Sequence, residues 1–249
     1  VLYEIPAKHK KITAQELAHI NSDSNEEGVP DESTLRISWG KLLTYKQTWA
    51  FAIGKFLTDP VWWFYLFWLP DFLEKQYGLA GTAKSLPLAL AYTLSTIGSV
   101  FGGWLPMQLV KRGSPIFKAR KTAMLIFAIS ILPVLFAQYL GSFSMWFAVI
   151  VIGCAMGSHQ AWSSNIFTTV SDMFPKSATA SVTGIGGMLG AVGGILIARG
   201  AGKLFDYYNA LGEKNTGYFI MFITCGVAYL LAWVIMHFLV PKFKAIDPR

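Results

Sequence analysis

The chain has 249 residues, of which 53% are hydrophobic and only 14% charged; 21 Lys and Arg against 14 Asp and Glu give a net charge of +7. A soluble domain carries roughly 25% charged residues to cover its surface, so a chain of mean hydropathy +0.44 is not read as one. Nucleic acid is excluded as a partner, because the basic charge is not gathered on a soluble face with interleaved aromatics.

In chain order, residues 1–48 form a polar region. Thr13-Ala14-Gln15-Glu16 is a capping box, in which the threonine hydroxyl meets an orphan amide and the glutamate reaches back. With Leu17 and Ile20 on one face, it predicts a short amphipathic helix over 13–21. The run NSDSNEEGVPDES (21–33) reads as a flexible acidic linker. Trp39 and Trp49 then suit a membrane interface. No basic segment leads into an apolar core as in a cleavable signal peptide, and the start at Val1 reads as that of a fragment.

Six apolar segments follow, at 49–72, 85–110, 122–140, 144–170, 178–200 and 216–240. Each is near the about 20 residues needed to cross a bilayer core. The expected fold is an all-α membrane protein with a six-helix domain over 49–240 and a tail over 241–249. The KRGSPIFKARK connection (111–121) and the Lys-rich flanks place both termini and that connection in the cytoplasm by the positive-inside rule. The connection between the last two spans, with Lys203, Asp206, Glu213 and Lys214, is mixed. Cys154 and Cys225 have neither disulfide nor metal spacing and read as small hydrophobes. No cofactor is expected.

Two segments carry stripes of small residues. In the fifth, Gly186, Gly190, Gly194, Ala198 and Gly202 recur every fourth position, flanked by Thr183, Gly187 and Ala191. In the second, Ala91, Ser95, Ser99 and Gly103 do the same, beside Gly98 and Gly102. Such faces let backbones approach closely in lipid. They serve either packing inside the bundle or docking against something outside this chain.

Two segments have polar centres. The first holds Lys55, Thr58 and Asp59, with Lys55 and Asp59 one turn apart and able to pair. Pro60 follows and removes a helical hydrogen bond. Trp62 and Trp63 are adjacent, so only one is expected to face a cavity. The fourth reads GSHQAWSSNIFTT. Ser158, Trp162, Asn165 and Thr169 share one face; His159, Trp162, Ser163 and Ile166 share an overlapping one. An aromatic ring among amides and hydroxyls suits a sugar-like ligand. These two segments each open a triplet, as in transporters built from inverted repeats. Each feature has a plainer counterpart: a pair that only holds the bend, a histidine bonded to backbone, an asparagine bridging two helices.

The stretches VKRGSPIFKARK and SDMFPKSATASVTGIGGMLGAVGGI resemble signatures of the major facilitator superfamily. KFLTDPVWWFYLFWLPDFL, WLPMQLVKRGSPIFKARKTAM and KITAQELAHI are similar to bacterial hexuronate transporters of its anion:cation symporter branch. The resemblance implies a twelve-helix transporter of which this chain is the central loop and the C-terminal half, in a bacterial inner membrane. It implies alternating access with proton co-transport, and partners in an anionic sugar acid, protons, the bilayer and the missing N-terminal half. Helices eight and eleven would face that half, giving Gly186, Gly190, Gly194, Ser95 and Ser99 an interdomain role. Helices seven and ten would line the cavity. Trp162, Asn165, Gln160, His159 and Ser163 would then contact ring or hydroxyls, while Asp59, Lys55 and Tyr92 shape the cavity. The family's main coupling acids and substrate arginine belong to the missing half. Gly186 and Gly187 stand where relatives often place a polar amide.

A membrane hydrolase is the alternative from another class, prompted by Ser158 and His159. Adjacent helical residues point about 100° apart and make no nucleophile–base pair, and no GxSG motif occurs. A channel or structural subunit is the other alternative, and no filter-like loop supports it.

Overall fold

The computed structural model describes residues 6–9, 11–20, 37–242 and 245–246, so the predicted acidic linker lies outside the described residues. The described chain is helical. Helix α1 (Ala14–Ile20) starts where the capping box predicts. The Glu16 amide donates to Thr13 Oγ1 at 3.2 Å, and the Thr13 amide donates to Glu16 Oε2 at 2.9 Å. These threonine bonds hold the Glu16 carboxyl below its ordinary range. A single turn, α2 (Trp39–Leu42), is capped by Ser38 and buries Leu42.

The long helices are α3 (Lys46–Tyr77), α4 (Ser85–Lys111), α5 (Ile116–Ser130), α7 (Met145–Met173), α8 (Lys176–Ala210) and α9 (Lys214–Leu239); a short α6 (Ala137–Phe143) continues α5 after a 3-10 turn, Leu132–Phe136. Pro133 accounts for that turn, because it has no N–H for the α5 ladder. Gly78 ends α3 in a left-handed conformation (φ +68°) that lets its amide reach the Glu74 carbonyl at 2.9 Å. Helix α8 runs ten residues beyond the predicted 178–200, so Lys203 and Asp206 are helical rather than part of a connection.

Among the described residues, five stretches are long and apolar enough to cross a membrane: Gly81–Lys111, Ile116–Phe143, Met145–Met173, Lys176–Ala210 and Lys214–Leu239. Helix α3 is not among them. Its 32 residues are ample, but Lys55, Asp59, Asp71, Glu74 and Lys75 dilute its apolar character. It is nonetheless the helix around which the bundle closes, burying Phe51, Phe64, Tyr65, Phe72 and Leu73.

Helix α3 lies along α8, and α4 lies along α7. Helix α3 also meets α9, as α7 meets α5, and α4 touches α5 as α8 touches α9. Exchanging the triplet α3, α4, α5–α6 with α7, α8, α9 maps each of these pairings onto another.

The two small-residue stripes pack differently. A Cβ on Gly186 would fall 2.1 Å from Phe51, one on Gly190 2.3 Å from Asp59 Oδ2 and one on Gly194 2.5 Å from Trp63. That stripe therefore receives side chains of α3 in the same chain. The interdomain role expected for Gly186, Gly190 and Gly194 is corrected accordingly. The neighbouring line of Gly184, Gly187 and Ala191 is the one left open. On α4, Ser95 is buried and Ser99 is exposed. Gly98 and Gly102 meet the α7 backbone: their Cβ atoms would come 2.2 Å from Gly157 O and 2.7 Å from Ala161 Cα.

A polar pocket at mid-height of the bundle

Helices α3 and α7 cross the bundle centre and face each other across a pocket of about 220 Å³. Lys55, Asp59, Trp62, Trp63, His159, Gln160 and Ser163 line it. At about 1.5 Å per residue, these positions fall near the middle of both helices. A larger crevice of about 510 Å³, between α3, α8 and α9, is apolar throughout except for Thr224. It offers none of the converging polar groups that fix a ligand's orientation.

Lys55 Nζ lies 2.8 Å from Asp59 Oδ2, and the same ammonium stands 4.2 Å from the centre of the Phe167 ring. Lys55 is 5% exposed. Its charge is thus met by a carboxylate and an aromatic face rather than by water. The carboxylate is met in turn by Lys55 and by the space that Gly190 leaves. Thr58 turns its hydroxyl back onto the Gly54 carbonyl at 2.8 Å. Pro60 leaves the Phe56 carbonyl without its usual donor four residues on. Gly193 of α8 packs against that carbonyl, where a Cβ would intrude to 2.6 Å.

His159 is held from two sides. Its ring stacks on Trp62, with centroids 5.2 Å apart and planes 14° from parallel. Its Nδ1 is hydrogen-bonded to the Tyr229 hydroxyl of α9, and that hydroxyl donates to the Thr58 carbonyl at 3.2 Å. Three helices therefore meet at one phenol. Tyr229 was not among the sequence candidates, because a lone tyrosine in a long apolar helix carries no pattern of its own.

Of the residues predicted to contact a ligand, the structure brings Lys55, Asp59, His159, Gln160 and Ser163 to one pocket. Both tryptophans border it, against the expectation that only one would: Trp62 is half-buried, while Trp63 is exposed and stacks on Phe67. Tyr92 stands behind Trp62, ring centroids 6.4 Å apart, edge to face. Trp162 and Asn165 are elsewhere. Trp162 is fully buried against the Tyr229 ring. Asn165 donates to the Gly102 carbonyl at 2.7 Å and to the Ala161 carbonyl at 2.8 Å, so it bridges α4 and α7. The helical phase that seemed to join them to His159 turns Trp162 into the core, while Asn165 borders a separate crevice of about 290 Å³ with Ser164, Thr168 and Arg120.

Ser158 and His159 point to different neighbours. Ser158 Oγ bonds to Ser130 of α5 at 2.9 Å and donates to the Cys154 carbonyl at 3.0 Å, whereas His159 bonds to α9. They make no nucleophile–base pair. Among the described residues no cluster of three His, Cys, Asp or Glu could hold a metal ion. Cys225 is buried as expected for a small hydrophobe, but Cys154 is exposed.

At the end of the bundle that carries residues 111–121, Arg120 of α5 pairs with Asp172 of α7, Nε to Oδ2 at 2.8 Å. Lys121 Nζ donates to the Val240 carbonyl at 2.7 Å, capping the end of α9. The amide of Ile246 donates to the Met173 carbonyl at 2.9 Å, tying the tail to the end of α7.

A profile of the Major Facilitator Superfamily matches residues 2–198. The chain is similar to the "Hexuronate transporter" of Escherichia coli (strain K12), 28% identical over 210 residues that cover 83% of this chain and 47% of that protein. It is similar to the "Uncharacterized transporter YybO" of Bacillus subtilis (strain 168), 27% identical over 251 residues, covering 98% of this chain and 54% of that protein. It is also similar to the "Probable galactarate/D-glucarate transporter GarP" of Escherichia coli (strain K12), 22% identical over 250 residues, covering 97% and 54%. The chain spans about half the length of the curated relatives it matches.

Proposed function

Because this chain belongs to the Major Facilitator Superfamily, as a multi-pass membrane protein, we propose that it is the six-helix C-terminal half of a secondary transporter for sugar acids. In this reading α3 is the sixth span, its charges tolerated because it borders a hydrated cavity rather than lipid. The pairing of helices under exchange of the two triplets supports an inverted 3+3 repeat. Both ends of the chain lie on the cytoplasmic side of a bacterial inner membrane, with the basic 111–121 connection. A second six-helix half completes the cavity. Transport proceeds by alternating access, driven by protons moving with a monocarboxylate of the hexuronate or aldonate type. The substrate leaves chemically unchanged, with no bound cofactor.

The observation that carries this reading is the composition of the mid-height pocket. Lys55 supplies a cation offset by its partner Asp59, Gln160 and Ser163 supply amide and hydroxyl, His159 supplies a ring nitrogen, and Trp62 and Trp63 supply flat apolar surface. A sugar acid has a carboxylate, several hydroxyls and C–H faces, which this set matches group for group. Trp162 and Asn165 support the pocket through packing and helix bridging rather than contact.

The test is uptake of labelled glucuronate into proteoliposomes by the full-length transporter under an imposed pH gradient, inside alkaline. We expect gradient-driven accumulation that falls at least about tenfold in the double variant Gln160→Ala, Ser163→Ala, as loss of two ligand hydrogen bonds predicts. Accumulation indifferent to both the gradient and the double substitution would overturn the coupling and the site together.

A further inference from the structure

We propose that Tyr229 is a positioning residue that fixes the tautomer of His159, so that His159 Nε2 presents a bare lone pair to the pocket and recognises a substrate hydroxyl.

The argument is proton accounting. A tyrosine hydroxyl has one proton and can also accept, whereas a backbone carbonyl can only accept. Tyr229 donates to the Thr58 carbonyl at 3.2 Å, which uses its only proton. The contact between the same hydroxyl and His159 Nδ1 is then a hydrogen bond only if Nδ1 carries the proton and donates. A neutral imidazole protonated at Nδ1 is bare at Nε2. Nε2 bonds to no described residue, and His159 borders the pocket. The stack on Trp62 holds the ring plane, and the Tyr229 bond holds its rotation about that plane. The acceptor is thus aimed as well as selected.

A bare ring nitrogen accepts from O–H and repels the lone pairs of a carboxylate. Lys55, on the facing α3 wall, does the reverse, with its charge offset by the Asp59 carboxylate paired to it. The acceptor thus orients a polyhydroxy acid with a hydroxyl toward α7. The pocket therefore selects against acids lacking the matched hydroxyl. This substrate orientation rests on the sugar-acid reading above; the tautomer does not.

Two measurements on the full-length transporter in lipid nanodiscs test it. The first is the ¹⁵N spectrum of histidine-labelled protein, with His159 assigned by its loss in His159→Gln. We expect Nδ1 protonated and Nε2 bare in the wild type, and mixed tautomers in Tyr229→Phe. A wild-type ring protonated at Nε2, or a tautomer unchanged in Tyr229→Phe, overturns the proposal. The second is competition of labelled glucuronate uptake by a panel of monodeoxy glucuronates. We expect one of them to compete about tenfold less well than glucuronate, the scale of one lost hydrogen bond, and to recover to within about twofold in Tyr229→Phe. A wild type that takes every monodeoxy compound equally well overturns hydroxyl recognition. The expected nitrogen shifts without uptake of any sugar acid would remove the transport reading and leave the tautomer standing, so the two failures are separable.

Discussion

Gly186, Gly190 and Gly194 of α8 and Gly98 of α4 look alike in sequence and do opposite things. Gly186, Gly190 and Gly194 make notches that receive the side chains of Phe51, Asp59 and Trp63. Gly98 makes no notch; it lets the α4 backbone lie against that of α7 at Gly157, while Gly102 admits both Ser164 Oγ and the Ala161 backbone. The first arrangement adapts, because a side chain can withdraw. The second does not, because a main chain held in a helical ladder cannot yield by one residue. Small-xxx-small spacing thus identifies a close approach without saying what approaches.

That contrast ranks the outcomes of adding one methyl group. Gly98→Ala should be the most damaging: its Cβ would come 2.2 Å from Gly157 O, and we expect a loss of about 3 kcal/mol, the upper end for overpacking. Unfolding in mixed micelles measures it, and a loss below about 1 kcal/mol would show that the two backbones separate freely. Gly190→Ala comes next, since the nearest atom is the end of the Asp59 side chain. We expect a cost of about 1 kcal/mol, and its disappearance when Asp59→Ala is combined with it. A double-mutant cycle with no coupling between those positions would remove the notch explanation. Gly103→Ala should do least, because nothing lies within 4 Å of its Cβ. Its stability should stay within about 0.5 kcal/mol of wild type, as at other open sites. If uptake by the full-length transporter falls while stability holds, the open line on α4 is a contact surface for the second half.

Much of this arrangement is legible before any coordinates. The capping box of α1, the ends of α4 and α9, and the Lys55–Asp59 pair follow from local chemistry that does not depend on the rest of the chain. The gathering of Lys55, Asp59, His159, Gln160 and Ser163 follows from polar residues at the centres of two segments. What escapes the sequence is helical phase. In a soluble helix, alternation of polar and apolar residues marks which side is inside. In α9 both sides are apolar, one for lipid and one for the core, and in α7 the polar residues of 158–169 fall on several sides of the helix, so that marker is erased. Trp162 consequently reads as a pocket residue although its helix turns it inward, and Asn165 as a neighbour of His159 although it borders a different crevice. Tyr229 escapes for the same reason, lying on the buried line with Cys225, Ala232 and Met236. The span at 49–72 is legible with its polar centre, and the charges that mark it as part of the pocket wall are also what make α3 less apolar than the other five stretches.

The bond from the Ile246 amide to the Met173 carbonyl makes the last described residues a strut rather than a trailing end. Ile246 is buried where it docks. A gene shortened just before it would leave the final turn of α7 without a donor and open an oily notch beside it. Affinity handles and fluorescent reporters for this protein therefore belong after the natural last residue, never in place of it.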